Sequence, residues 1–103
     1  MWHWKVERHA KKLNALSARY RVEARKIGFL VDTLRTREDA GSLREQAIAW
    51  GNTALVEFRE GTHDVETAWA ARDVPSMTRA VRRIRSARSL LERALDAGRM
   101  ESA

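Results

Sequence analysis

The sequence contains no cysteine, a single proline and no long apolar run, and these absences exclude several classes of protein. Without cysteine, neither a disulfide framework nor a thiolate metal site can form. The longest stretch without a charged residue, QAIAWGNTALV, has 11 residues, whereas a membrane-spanning helix needs roughly 20. The N-terminus also lacks the apolar segment of an export signal, so we expect a cytoplasmic location.

Motifs that supply catalysis or bind cofactors are also missing. There is no glycine-rich phosphate loop, no serine elbow and no pair of histidines one helical turn apart. The nearest approach is REGTHDVE, in which acidic residues surround His63, but a histidine with acids at a helix start is more typical of capping. We therefore expect no enzymatic activity, no catalytic residue, no metal and no cofactor.

What the sequence does contain is alanine, arginine and helical periodicity. Sixteen alanines, five glycines and one proline favour packed helices over strands. The length of 103 residues fits one domain with a modest core. We therefore predict an all-α fold, a small helical bundle of about four helices in a single helical domain over residues 1–103.

The first predicted helix covers about residues 2–36 and is by far the longest. An apolar seam repeats every seven residues along it, at Val6, Leu13, Tyr20, Ile27 and Leu34. Residues 22–34 are apolar on nearly every side, so we expect the second half of this helix, including Phe29, to lie in the core. The basic first half is then expected to reach beyond the other helices.

Three further helices are predicted, at about residues 43–60, 64–72 and 74–97, followed by a frayed tail at 98–103. Ser42 and Glu45 have the spacing of a capping box at the start of the second helix, and Gly61 fits its left-handed end. Gly51 weakens that helix locally, which favours a close crossing with another helix at this point. Pro75 is tolerated only in the first turn of the last helix.

The last helix has an apolar seam and an arginine-rich opposite side. The seam consists of Met77, Ala80, Val81, Ile84, Ala87, Leu91, Ala94 and Leu95. On a helical wheel, the side opposite the seam holds a row that we expect to face solvent, namely Arg79, Arg82, Arg83, Arg85 and Arg93. Arg88 falls within the apolar arc, where an unpaired guanidinium is costly. We expect it to lie in a subunit interface or to bind an acid such as Asp64, Glu66 or Glu57.

The net charge of +6 is unevenly distributed, because residues 1–26 and 74–103 are basic and residues 27–73 are acidic. A second basic stripe runs beside the seam of the first helix and contains Lys5, Arg8, Lys12, Arg19 and Lys26. The predicted contacts for nucleic acid or an acidic partner are these residues together with Arg79, Arg82, Arg83 and Arg85. Either stripe by itself is also typical of the solvent-facing side of a bundle helix.

Two functions use these charges equally well. The first is non-sequence-specific binding of DNA or RNA through phosphate contacts. The alternative is a small protein-binding regulator or inhibitor, for example an anti-defence protein of a phage or mobile element, that occupies an acidic or nucleic-acid-binding groove on a larger partner. Binding to a membrane surface is a third, less favoured interpretation, based on Trp2 and Trp4 beside basic residues.

Self-association is also predicted, through an interface on the first helix formed by Trp2, Trp4, Val6, Leu13, Leu16 and Tyr20. The two tryptophans point in nearly opposite directions on a helix, so one small core cannot bury both. The seam is longer than the shorter helices are expected to cover. Its polar residues, His9 and Glu23, are of the kind that fix the register of paired helices, so we expect a homodimer.

Overall fold

The structure is a computed structural model that describes the backbone of residues 2–98 and the side chains of residues 4–98. Within that range it consists of three helices and contains no strand: α1 (Trp2–Asp39), α2 (Glu45–Ala71) and α3 (Val74–Ala97). An all-α helical bundle with a long first helix is therefore confirmed. The predicted frayed tail lies outside the described residues, apart from Gly98.

The number of helices is three rather than four, because α2 continues through Gly61. A Cβ atom at Gly61 would lie 2.7 Å from Cδ1 of Ile84, so this glycine lets α3 approach α2 closely instead of ending the helix. The residues that follow, among them His63, are helical and do not cap a helix start. Glycine is favoured both at the end of a helix and where two helices are in close contact, so the sequence is compatible with either.

The connection between α1 and α2 also differs from the prediction. Gly41 adopts a φ of 67°, and the N–H of Ser42 donates to the carbonyl of Arg37 (2.9 Å), which is the pattern of a Schellman motif at the end of α1. The Ser42 hydroxyl donates to the same carbonyl (3.0 Å) and does not cap α2. Arg44 occupies the N-cap position without a side-chain capping bond, so the predicted capping box of Ser42 and Glu45 is wrong.

A tight turn joins α2 to α3. Arg72 ends α2 in the left-handed region with a φ of 56°, and its guanidinium lies 4.6 Å from the centroid of the Trp69 ring. Asp73 caps α3 because its carboxylate accepts hydrogen bonds from the Ser76 N–H (3.2 Å) and hydroxyl (2.7 Å). These bonds hold the pKa of Asp73 below its ordinary value. His9 of α1 donates to the carbonyl of Arg72 (2.7 Å), which fixes this turn beside the N-terminal part of α1.

The three helices run up, down and up, so α1 and α3 are parallel and lie side by side. Two hydrogen bonds mark the ends of this pairing: His9 binds the turn before α3, and Nη1 of Arg37 donates to the carbonyl of Leu95 (3.2 Å) near the end of α3. α3 packs against both other helices, and its whole predicted seam is buried. The bundle is elongated, with extents of 66, 17 and 16 Å.

α1 contributes Leu13, Ile27 and Leu34 to the core. Leu34 lies against Gly51, where an added Cβ would be 2.6 Å from Cδ2 of the leucine, so the predicted close crossing is confirmed. Phe29, which the sequence places in the core, is instead 71 % exposed, because α2 and α3 cover only one side of α1. No helix within residues 2–98 is both long and apolar enough to cross a membrane.

Candidate functional site

The basic stripe of α1 is exposed along its whole length. Its members are Lys5, Arg8, Lys12, Arg19 and Lys26. They follow one another at intervals of three, four or seven residues, which places them on one side of the helix. From Lys5 to Lys26 the stripe is about 32 Å long, at about 1.5 Å per residue. Every one of these side chains is therefore accessible to a partner that lies along α1.

The start of α3 borders this stripe. A shallow depression between the two helices is lined by Trp4, Lys5, Arg8, His9, Lys12, Val74 and Pro75. A second depression, farther along the bundle, is lined by Lys12, Ala15, Leu16, Arg19, Val74 and Thr78. The stripe therefore forms one wall of a groove whose other wall belongs to α3.

Arg82 and Arg85 of α3 extend this basic surface. The Nε atom of Arg85 is 3.9 Å from Oε1 of Glu23, and the Arg85 side chain is 58 % exposed. Glu23 lies between Arg19 and Lys26 on α1, so Arg85 is beside the α1 stripe. Arg82 precedes Arg85 by about one turn and is also exposed. We call the surface formed by Lys5, Arg8, Lys12, Arg19, Lys26, Arg82 and Arg85 the basic face.

One carboxylate lies beneath the basic face. Glu23 is 3 % exposed and accepts a hydrogen bond from Nε of Arg88, whose Nη1 donates to Glu92 (2.6 Å). The bonds to Glu92 and Glu23 raise the pKa of Arg88. The prediction that Arg88 binds an acid is therefore confirmed, although its partners differ from the expected acids of residues 57–66. Since Arg88 binds Glu23 closely, this carboxylate does little to neutralise the exposed cations.

Arg83 lies on the opposite side of α3, toward α2. Its Nε donates to Glu57 (2.7 Å), its Nη1 to Asp64 (3.2 Å) and its Nη2 to Glu60. These bonds, the one with Glu57 above all, raise the pKa of Arg83, and the bond from Arg83 lowers the pKa of Glu57. Arg83 is therefore not the free solvent-facing contact that the helical wheel predicts. The sequence signal for this cluster is the spacing of the three acids, which places them on one side of a helix.

Arg79 lies on the same side of α3 as Arg83, because it lines a depression that also contains Asp64 and Asp73. The predicted arginine row of α3 is therefore divided between two sides of the helix. Arg85 lies beside α1, whereas Arg79 and Arg83 lie among carboxylates on the side of α2. The remaining members, Arg82 and Arg93, are exposed. The helical wheel placed them together because it takes no account of the neighbouring helices.

The predicted interface of α1 is largely covered within the chain. Leu13 is buried, Leu16 and Tyr20 pack against the core, and the Tyr20 hydroxyl donates to Thr62 of α2 (3.2 Å). His9 binds the turn before α3 and Leu13 is buried, so the prediction that the whole basic half of α1 reaches beyond the bundle is wrong. The part of the seam from Leu13 to Tyr20 therefore belongs to the core of one chain.

The first turns of α1 are the part that remains uncovered. Trp4 is 61 % exposed, and Val6 is also exposed. The guanidinium of Arg8 lies 5.0 Å from the centroid of the Trp4 ring. The side chain of Trp2, the remaining residue of the predicted interface, lies outside the described residues.

Neither a metal cluster nor a known relative accounts for the basic face. Among the side chains of residues 4–98, no three histidine, aspartate or glutamate residues are placed to bind a metal ion. Every buried polar side-chain atom of the described residues has a hydrogen-bond partner. Comparisons with protein-family models, with curated proteins and with solved structures found no match for this chain.

Proposed function

We propose that the protein binds nucleic acid without base specificity, through phosphate contacts made by the basic face. The observation that carries the proposal is the parallel packing of α1 and α3, which joins two rows of lysine and arginine into one surface. A single exposed stripe is ordinary for a soluble helix. Two stripes on adjacent helices, facing the same side, concentrate positive charge where folding alone does not require it.

The acidic residues of the chain leave this surface largely unneutralised. α2 carries five carboxylates and one arginine, Arg59, but its cluster of acids binds Arg83 on the other side of α3. Glu23 is bound by Arg88. Exposed cations without a close carboxylate are free to neutralise phosphates, and each phosphate that is neutralised releases counterions condensed on the nucleic acid, which drives binding.

The geometry of the basic face suits a backbone of regularly spaced phosphates. Its row on α1 is about 32 Å long, and the axes of packed helices such as α1 and α3 are about 8–10 Å apart. Duplex DNA carries one charge per about 1.7 Å of its axis, so a surface of this length meets many phosphates at once. The long lysine and arginine side chains adapt to their positions, which favours contact with the backbone over readout of base edges.

The experiment compares two charge reversals of the same size. In the first variant, Arg8, Lys12 and Arg19 of the basic face are changed to glutamate. In the matched control, three exposed arginines outside the basic face are changed in the same way, namely Arg21 and Arg35 of α1 and Arg59 of α2. Both variants have the same net charge, and circular dichroism checks that both remain folded.

We expect the first variant to lose detectable binding to a fluorescent duplex, measured by anisotropy, and the control to stay within about tenfold of the unmodified protein, because distant charges are screened. For the unmodified protein, about five phosphate contacts give log K against log salt a slope near −4.5. Equal losses in both variants, or no binding at low salt, would contradict the proposal. An acidic groove on a protein partner would then be the better explanation of the basic face.

A further inference from the structure

Two aromatic side chains are exposed on one side of α1. Phe29 is the most exposed large apolar residue of the described chain, and Trp4 is also largely accessible. They are 25 residues apart, close to seven helical turns of about 3.6 residues, so both rings project from the same side of α1. Their separation along the axis is about 37 Å at about 1.5 Å per residue.

Each ring lies next to basic side chains. Trp4 lines the first depression of the basic face together with Lys5 and Arg8, and the Arg8 guanidinium lies over the Trp4 ring. Phe29 follows Arg25 and Lys26 by four and three residues, so both exposed cations are one turn away on the helix surface, and the exposed Asp32 is one turn away in the other direction. The aromatic rings therefore stand along the margin of the basic face, near its two ends.

A flat apolar ring beside a cation matches a nucleotide whose base is free to stack. In a duplex, the bases already stack on one another and their faces are inaccessible to such rings. In a single strand, bases can stack on aromatic side chains while the phosphates contact lysine and arginine, a combination that tolerates any base sequence. A phosphate-only interface gives the exposed rings no role.

Other occupants fit this side of α1 less well. A partner helix requires a continuous apolar stripe, but between Trp4 and Val22 the same side of α1 carries Lys11 and the small side chains of Ala15 and Ala18. A second copy of this chain would bring two sets of like charges together, which is unfavourable. Isolated rings among cations suit separate bases better than a packed helix.

We infer that the preferred ligand of the basic face is single-stranded nucleic acid, with bases stacked on Trp4 and Phe29. This inference rests on the proposed function, because the same face supplies the phosphate contacts. The strand would follow the basic face, and the two rings would hold bases near its ends.

The experiment separates stacking from phosphate binding by its choice of probes. The probes are an oligo(dT) strand of about 20 nucleotides, an abasic strand of the same length that has the same phosphates without bases, and a duplex. The test variant combines Trp4→Leu with Phe29→Leu, which removes both rings but keeps apolar side chains. The control combines Trp4→Phe with Phe29→Tyr, which keeps both rings.

We expect the unmodified protein to bind oligo(dT) about 25-fold more tightly than the abasic strand, since each stacked base contributes a factor of about five or more. The leucine variant should bind both strands equally, at the affinity of the abasic strand. The control should retain most of the preference for oligo(dT), and all measurements are made at one salt concentration.

The outcomes distinguish this inference from the proposed function. If oligo(dT), the abasic strand and the duplex bind equally and the leucine variant behaves as the unmodified protein, the stacking inference is wrong while phosphate binding stands. If no probe binds at low salt, both fail. If the leucine variant instead loses binding to vesicles of anionic phospholipid and keeps its binding to oligo(dT), the rings serve a membrane surface and the inference is also wrong.

Discussion

Arginine side chains on the two sides of α3 lie in opposite environments. Arg83 faces α2, where three carboxylates bind its guanidinium and its side chain is 33 % exposed. Arg85, two residues later, faces α1 and has only a distant contact with Glu23. The difference arises from the neighbouring helix, because α2 places three acids against Arg83, whereas the acid of α1 that lies near Arg85, Glu23, is already bound by Arg88.

The two sides of α3 also differ in how far their ion pairs are removed from water. On the α1 side, Arg88 and Glu23 form an ion pair that is largely removed from water, whereas the pairs of Arg83 on the α2 side are solvent-accessible. A buried pair is costly to break because the remaining charge has no partner, while exposed pairs contribute little to stability. The α1 side of α3 therefore contains both the ion pair on which folding depends most and the cations available for binding.

The largest expected effect comes from breaking the buried pair. Glu23→Ala should lower the free energy of unfolding by about 3 kcal/mol, because Arg88 is left in a mostly buried position with Glu92 as its remaining partner. Urea denaturation followed by circular dichroism measures this change. Replacing both partners with apolar residues, as in Glu23→Leu with Arg88→Met, should restore most of the lost stability. A loss below about 1 kcal/mol for Glu23→Ala would show that this pair resembles an exposed one.

The second prediction tests the division of the arginine row directly. Arg85→Gln should weaken binding to nucleic acid about five- to tenfold and reduce the salt slope by about 0.9, the value for one lost phosphate contact. Arg83→Gln, the same substitution two residues away, should change the affinity by less than about twofold, since its guanidinium already binds three carboxylates. Anisotropy titrations over a range of salt concentrations measure both variants. Similar losses for the two substitutions would mean that both sides of α3 contact the ligand.

The smallest expected effect concerns acid pH on the α2 side. The hydrogen bond from Arg83 lowers the pKa of Glu57 from its ordinary value of 4.5. The resulting stabilisation is fully present above pH 4.5 and is lost as the pH falls through the lower pKa of the folded state. Urea midpoints between about pH 6 and about pH 3 should therefore fall less steeply for Arg83→Gln than for the unmodified protein. If the urea midpoints of the two proteins fall equally steeply with pH, Arg83 does not lower the pKa of Glu57.

Features that depend on one helix alone were predictable from the sequence. The seam of α3 is buried residue for residue, and Leu13, Ile27 and Leu34 of the α1 heptad lie in the core. Both results follow because a helix needs to bury one apolar stripe, and periodicity identifies that stripe. The exposure of the α1 basic stripe follows from the same rule.

Features that depend on the relative placement of helices were not predictable in this way. Phe29 is exposed because two short helices can cover only one side of α1, whereas its surrounding sequence is apolar on nearly every side. Gly61 continues α2 because Ile84 packs against it, a contact between residues far apart in sequence. The partners of Arg83 and Arg88 also lie on other helices, except for Glu92. The sequence therefore predicts which residues are basic but not which of them are already bound.

The elongation of the bundle has a consequence for hydrodynamic behaviour. Its Cα atoms have a radius of gyration of 17.0 Å, whereas a globular chain of this length has about 13 Å and one of twice the length about 17 Å. Gel filtration separates molecules by hydrodynamic size, so a monomer of this rod will elute close to the position of a compact dimer. Early elution combined with a mass of 11.8 kDa from light scattering is the signature of a single rod.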